Sequence, residues 1–304
     1  MRIWKVYRHG VTAGTPPGKN DHMRTPRGDV GGWSKSSTRS NTRFLYTVDE
    51  RKLTGHGFGQ TLTLRTCPES HDDWHRMRKA FERRMRRMGM IRMHWLTEWQ
   101  RRGVPHMHAA IWFDEGLRDR DPLAMATITD HWLAIAEPYG AGPGGQQVKQ
   151  LTDSMGWFKY LSKHAVRGLN HYQRSEENRP DGWRKTGRMW GKLGDWPTVP
   201  PRHFHLDDAG HFKARRVIRS YARSRARDEV AQGKSGPSRI LWARGMLRCA
   251  EPGPSSLRGV NDWAESKKIT GPLLLWLMGE GHQVDPINRE LPPDEQQPER
   301  LAED

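Results

Sequence analysis

Apolar and polar positions change period several times along the chain. Residues 44–48 and 60–64 read as two strands, joined by a Gly-rich connection at Gly55, Gly57 and Gly59. Between 71 and 88 the spacing becomes helical. Trp74, Met77, Phe81, Met85 and Met88 recur every three to four residues, and Gly89 can close the end. Two alternating stretches, 93–100 and 106–113, flank Arg101-Arg-Gly-Val-Pro105, the pattern of a β-hairpin. Residues 121–136 are again helical, 147–151 form a short strand, and 153–166 form a helix with Asp153 or Ser154 as N-cap. This order predicts an α+β domain with a central antiparallel sheet of about five strands flanked by helices.

That domain should occupy residues 43–200. Residues 1–42, rich in Gly, Pro, Ser, Thr and Arg without sustained period, read as a basic flexible arm. Residues 201–282 read as a basic, mainly helical accessory region, and 283–304 as an acidic disordered tail. Residues 167–202 look loop-like.

Composition narrows the function. The chain has 304 residues, 51 Lys+Arg against 35 Asp+Glu, and a net charge of +16. Such an excess favours a polyanionic partner, nucleic acid above all. Only 34% of residues are hydrophobic, and the mean hydropathy is −0.92. The longest apolar run, 273–278, is far short of the roughly 20 residues of a spanning helix. The first residues lack the apolar stretch of a secretory signal. Two cysteines, Cys67 and Cys249, make neither a disulfide framework nor a four-thiolate zinc site. A cytoplasmic protein with no membrane partner is expected.

The hairpin carries the candidate chemistry. His106 and His108 lie at i and i+2 of one strand, so both point to one face, about 6.5–7 Å apart along the chain. If Glu98 lies directly opposite His106, then Leu96 lies opposite His108. One carboxylate and two imidazoles then project together, with cross-strand Cβ atoms about 4.5–5.5 Å apart. That set suits an open site for Mg²⁺ or Mn²⁺. A one-residue slip would put Glu98 on the wrong face. His94 shares the parity but lies about 13 Å away and is excluded. A second pair, His203-Phe-His205, shows no hairpin partner.

Tyr160-Leu-Ser-Lys163-His164 lies on the last predicted helix of the domain, with Tyr160, Lys163 and His164 on one face. By itself such a tyrosine is more often a core residue beside a solvated lysine. Of the tryptophans, Trp95, Trp99, Trp112 and Trp157 read mainly as core. Trp183, Trp190 and Trp196, in a basic loop region, are better candidates for stacking on bases. Residues 213–227 hold seven Lys/Arg and no acid, a phosphate-binding pattern.

Together these residues resemble the HUH endonuclease superfamily, in its rolling-circle replication initiator branch. Thr61-Leu-Thr-Leu64 resembles the first motif of that branch. Glu98 followed by Pro105-His106-Met-His108 resembles the metal-binding second motif, and Tyr160-Leu-Ser-Lys163 the nucleophile motif. The segment 97–112 is similar to initiators of small, filamentous-phage-like single-stranded DNA replicons, as is Arg188-Met-Trp-Gly191. The resemblance covers about residues 43–195. Tyr160 follows the His pair, whereas conjugative relaxases place it before. His164 stands where some phage initiators carry a second tyrosine.

The resemblance implies metal-dependent nicking of single-stranded origin DNA. Tyr160 is the expected nucleophile, Lys163 its helper, and His106, His108 and Glu98 the metal ligands. The product would be a 5′-phosphotyrosine and a free 3′-OH, with later strand rejoining. Expected DNA contacts are Arg101, Arg102, His164, Arg188, Trp190, Arg215, Arg216, Arg219 and Arg223. No Gly-x4-Gly-Lys-Ser/Thr motif is present, so a host helicase as well as a host DNA polymerase are expected partners. A mobilisation relaxase, a single-tyrosine transposase or a non-catalytic single-strand-binding protein are the alternatives.

Overall fold

A computed structural model of the chain describes residues 1–14, 29–166, 172–245, 261–262 and 266–287. In chain order its strands and helices begin with β1 (Arg2–Val6), β2 (Val11–Gly14), α1 (Lys35–Thr47), β3 (His56–Leu62) and α2 (His71–Arg87). Next come β4 (Met90–Trp99), β5 (Pro105–Phe113), α3 (Leu117–Arg120), α4 (Ala124–Ala136), β6 (Gln147–Gln150), α5 (Ser154–Val166) and β7 (Trp190–Gly194). The last are β8 (Arg202–Leu206), α6 (Asp208–Ala231), α7 (Ser238–Gly245), β9 (Asn261–Asp262), α8 (Gly271–Gly279) and β10 (Val284–Pro286). The chain divides into two compact units, Arg24–Thr198 and Met1–Met23 with Val199–Asp304.

The unit Arg24–Thr198 is built on a five-stranded antiparallel sheet of order β6-β3-β5-β4-β7. The fold is the expected α+β arrangement of sheet and flanking helices. Helices α2 and α4 cover one face. Trp74 of α2 donates from Nε1 to Thr97 Oγ1 at 3.2 Å, and Trp132 of α4 packs edge-on against Trp74 and Phe81. Helices α1 and α5 cover the other face, where Phe44 stacks on His94 and Phe158 lies against Trp112. Helix α2 starts at a complete capping box, Ser70 with Asp73, and has Asp72 and Asp73 in its first turn and arginines in its last, matching its dipole.

Two strand expectations need correction. Residues 44–48 are not a strand: 44–47 end helix α1, which Ser34 caps by accepting from Ser37 N at 3.0 Å. A short apolar run has no period of its own to separate strand from helix. The fifth strand is instead β7, within the stretch expected to be loop. Its two glycines hide it. Gly191 lies opposite Trp95 in the register, where an added Cβ would sit 2.8 Å from the indole. Likewise the expected Gly-rich connection at Gly57 and Gly59 belongs to β3. Added Cβ atoms there would come within 2.8 Å of Trp112 and Trp157.

The second unit holds an antiparallel sheet of order β10-β8-β1-β2-β9. Its core gathers Trp4, Val6, Val11, Leu206, Ile218 and Leu277, and Trp4 Nε1 donates to His211 Nδ1 at 3.0 Å. Burial and Arg215 pull the His211 imidazole down to about 4, so it accepts as a neutral ring. Residues 2–6 and 11–14, expected in a flexible arm, are thus strands of a sheet. Residues 15–28 of that arm lie outside the described residues. The region 201–282 contains strand β8 as well as helices, and the expected tail begins with strand β10; residues 288–304 lie outside the described residues. His203 and His205 do have strand partners: they sit on β8 opposite Lys5 and Ile3.

Candidate metal centre and nucleophile

The hairpin β4–β5 fixes the site. Its turn closes with Gln100 N donating to Val104 O at 2.9 Å, and Gly103 adopts a φ of +71°, which favours glycine. The register pairs Glu98 with His106 and Leu96 with His108, as the alternation predicts. Thr61 of β3 lies opposite His108. One face of the sheet therefore carries Glu98, His106, His108 and Thr61 together.

Ligand atoms of Glu98, His106 and His108 all lie within 4.8 Å of one another, and all three residues are buried. His106 Nε2 and His108 Nε2 are 2.9 Å apart, and His108 Nε2 is 3.7 Å from Glu98 Oε2. Ligands 90° to 120° apart on bonds of about 2.1 Å are separated by roughly 3.0 to 3.6 Å, so the donor spacing fits one ion. The cluster could hold a metal ion. Among the described residues it is the one group of this kind. His94 is not in it. That ring is fully buried, faces Asn41 Oδ1 at 2.7 Å, and is pulled down to about 3 by burial and Lys192.

Two neighbours orient the ligands. Thr61 Oγ1 is 3.0 Å from His108 Nδ1, leaving Nε2 toward His106. Arg174 Nε is 3.5 Å from Glu98 Oε1. The Arg174 guanidinium lies 4.0 Å over the Trp33 ring, and its Nη1 donates to Thr38 Oγ1 at 3.2 Å. Arg174 is absent from the sequence-predicted site. It lies 76 positions from Glu98 in a loop with no period, so no spacing rule joins them.

Helix α5 brings Tyr160 to this cluster. Its ring is 5.5 Å from that of His108, edge to face, and 5.2 Å from Trp157. Unlike the ligands, Tyr160 is 38% exposed, so its phenol is reachable from solvent. Lys163 and His164 belong to the same helix, but their side chains lie outside the described residues.

The expected DNA contacts are spread over both units. Arg101 is exposed, its guanidinium 5.0 Å over Tyr172. Arg102 is committed to the fold, donating to Leu64 O, Arg65 O and Gln100 Oε1. Arg188 is exposed, whereas Trp190 packs near Phe44 and His94. The other loop tryptophans are also structural. Trp183 is buried and donates to Pro68 O, and Trp196 packs against Phe44 and Trp112. In the second unit, Arg215, Arg216 and Arg219 line a hollow on α6 with Phe212, and half-buried Arg223 follows one turn on.

Residues 58–165 match a family of replication-associated proteins, the ORF2 type. The chain is 45% identical over 290 residues to the replication-associated protein of Pseudomonas phage Pf3, covering 93% of this chain and 99% of that one. It is 46% identical over 271 residues to a chain of Xylella fastidiosa strain Temecula1, provisionally named for replication, covering 86% of this chain and 99% of the relative. A similarly named chain of Xylella fastidiosa strain 9a5c matches at 46% over 271 residues, 86% of this chain and 92% of the other. No solved structure matches. The buried Glu–His–His cluster thus sits within the matched segment, and the chain belongs to the ORF2-type family of replication-associated proteins, the phage branch of the rolling-circle replication initiators.

Proposed function

We propose that this chain starts rolling-circle replication by nicking single-stranded origin DNA with Tyr160. One observation carries the reading: an accessible phenol ring stands 5.5 Å from the ring of His108, beside a buried cluster of one carboxylate and two imidazoles. His106, His108 and Glu98 would hold a divalent ion, Mg²⁺ or Mn²⁺. Bound there, such an ion neutralises charge on the scissile phosphate. Tyr160 Oη attacks phosphorus in line; the Oη–P bond forms and the P–O3′ bond breaks. The phenolic proton is lost, and the departing 3′-oxygen takes one up to become the 3′-OH that a host polymerase extends. The phosphotyrosine conserves the phosphodiester bond for later rejoining. Lys163, one turn along the same helix, would steady the developing charge.

Exposed Arg101 and Arg188, with Arg215, Arg216, Arg219 and Arg223 of α6, would hold phosphates without reading sequence. A host helicase would unwind the template, and the reaction would take place in the cytoplasm of the bacterial host. No helix of the described residues is long and apolar enough to cross a membrane.

The test is incubation with a labelled single-stranded oligonucleotide of the cognate origin and Mn²⁺. A detergent-stable protein–DNA adduct is expected, absent with EDTA and absent in Tyr160→Phe, which should still bind the oligonucleotide. An adduct that persists in Tyr160→Phe rejects the nucleophile. Binding without any adduct in the parent chain favours the pure single-strand binder.

A further inference from the structure

The nicking reading takes only Arg188 from a second charged surface of the Arg24–Thr198 unit. On α2, Arg76, Lys79 and Arg83 follow one another at three- and four-residue spacing, so they form one stripe. That stripe is one wall of a cleft of about 890 Å³; Lys185 and Arg188 stand on the other wall. Five permanent cations face two lining carboxylates, Asp29 and Asp72. Arg76 also pairs with Asp73. His75 adds no charge at neutral pH, because burial and Arg78 pull it down to about 4.

The cleft is built, not splayed side chains on a surface. Val30 O accepts both from Thr186 N at 2.7 Å and from Thr186 Oγ1 at 3.0 Å, tying the two loop segments together. Buried Trp183 donates to Pro68 O at 2.9 Å. Gly187, at φ +63°, lets the loop press on α2: an added Cβ would come within 2.9 Å of His75 Nε2. Cations are therefore held on two fixed walls facing one another.

The shape and chemistry select the ligand. From position 76 to 83 the helix rises about 10 Å, which spans about three phosphates of one duplex strand. Charge spread over that length, with no Phe, Tyr or Trp among the lining residues, suits a phosphodiester backbone better than a single nucleotide. Helix α2 covers the sheet face opposite the Glu–His–His cluster. The cleft loop runs directly into β7, where Met189 O accepts from Thr97 N, next to Glu98. We infer that this cleft binds the phosphodiester backbone of origin DNA flanking the nick, on the far side of the sheet from the cleavage centre. The inference rests on the DNA-nicking reading above.

The test compares the full-length chain with Lys79→Glu/Arg83→Glu/Lys185→Glu. A control, Lys52→Glu/Arg87→Glu/Arg118→Glu, reverses exposed charges outside the cleft. Fluorescence anisotropy is read with a long origin strand carrying both flanks, with the same strand bearing a duplex arm, and with a short strand trimmed to the nick. The cleft variant should bind the long strand at least about tenfold more weakly than the control does. Its log–log salt slope should fall by about two, as for three lost single-strand phosphate contacts. Affinity for the short strand should match the parent. Loss confined to the duplex-arm probe would assign the backbone to the duplex flank. Affinity and slope equal to those of the control on both the long strand and the duplex-arm probe overturn the inference. Adduct formation on the short strand reports separately on the nicking reading. The set Lys79→Gln/Arg83→Gln/Lys185→Gln, judged by the same readouts, serves if the reversal unfolds the chain.

Discussion

Arg174 and Glu98 form a buried ion pair in which each carboxylate oxygen has its own neighbour. Oε1 lies 3.5 Å from Arg174 Nε, and Oε2 lies 3.7 Å from His108 Nε2. One oxygen is thus held by a fixed cation while the other faces the ligand set. Removing one partner of a buried pair costs about 3 to 5 kcal/mol, because the remaining charge loses its compensation. Arg174→Met should therefore lower the metal-free unfolding free energy by about 3 kcal/mol. In that variant an added divalent ion supplies the missing positive charge, so the Mn²⁺-induced rise in Tm should exceed the parent's. Thermal unfolding with Mn²⁺ and with EDTA measures both. A Mn²⁺ shift that vanishes would mean that Arg174 chiefly aims the carboxylate.

Thr61 acts on the second imidazole. With Nε2 of His108 bound to an ion, Nδ1 would carry the hydrogen and donate to Thr61 Oγ1, 3.0 Å away. Losing such an outer partner typically weakens metal binding by about 10- to 100-fold. Thr61→Val, which keeps the β-branched shape, should weaken Mn²⁺ binding in calorimetric titration by about tenfold or more. Thr61→Ser should restore most of it. Equal affinity in Thr61→Val and the parent would show that sheet packing alone sets the ring.

The donor set was legible because a β-hairpin is a local object. Two alternating runs and a Gly/Pro turn determine a register, and the register places Glu98 opposite His106. Tyr160 came from a helical pattern whose distance to the hairpin no local rule supplies; the family resemblance joined them. Where packing decides, the sequence was silent. The apolar run 44–47 is helical because α1 is capped from Ser34 and lays Phe44 on His94. Strand β7 lacks strand composition because Gly191 gives way to the indole of Trp95. Arg174 joins the site through a tertiary contact that the sequence nowhere marks.

His94 makes stability fall in acid. Its ring is fully buried and held neutral, with a value near 3 against 6.5 for the free side chain, through burial and Lys192. The unfolded chain therefore takes up a proton below pH 6.5 that the folded chain refuses. Stability contributed by this ring is complete above that pH and declines as pH falls toward 3. Between pH 7 and pH 4 the loss is about 3 kcal/mol. Urea unfolding of His94→Gln, whose amide can still donate to Asn41, should show an acid slope shallower by about one proton. An unchanged slope would assign the acid sensitivity to the other imidazoles that desolvation pulls down to about 4, His75 and His211.

Helix α6 carries two kinds of group that single- and double-stranded DNA should distinguish. Arg216 is exposed, and Phe212 is 46% exposed with the Arg215 guanidinium 5.9 Å from its ring. A phosphate contact is blind to sequence and strandedness, so Arg216→Ala should weaken both DNA forms and lower each log–log salt slope by about one. An exposed ring can stack only on an unpaired base, a contact worth about 1 to 3 kcal/mol. Phe212→Ala should therefore weaken single-strand binding by about five- to a hundredfold, leave duplex binding near the parent value, and leave both salt slopes unchanged. Anisotropy titrations over a range of salt with matched single-stranded and duplex probes separate the two. Equal losses on both probes for Phe212→Ala would mean that the ring supports Arg215 and does not stack.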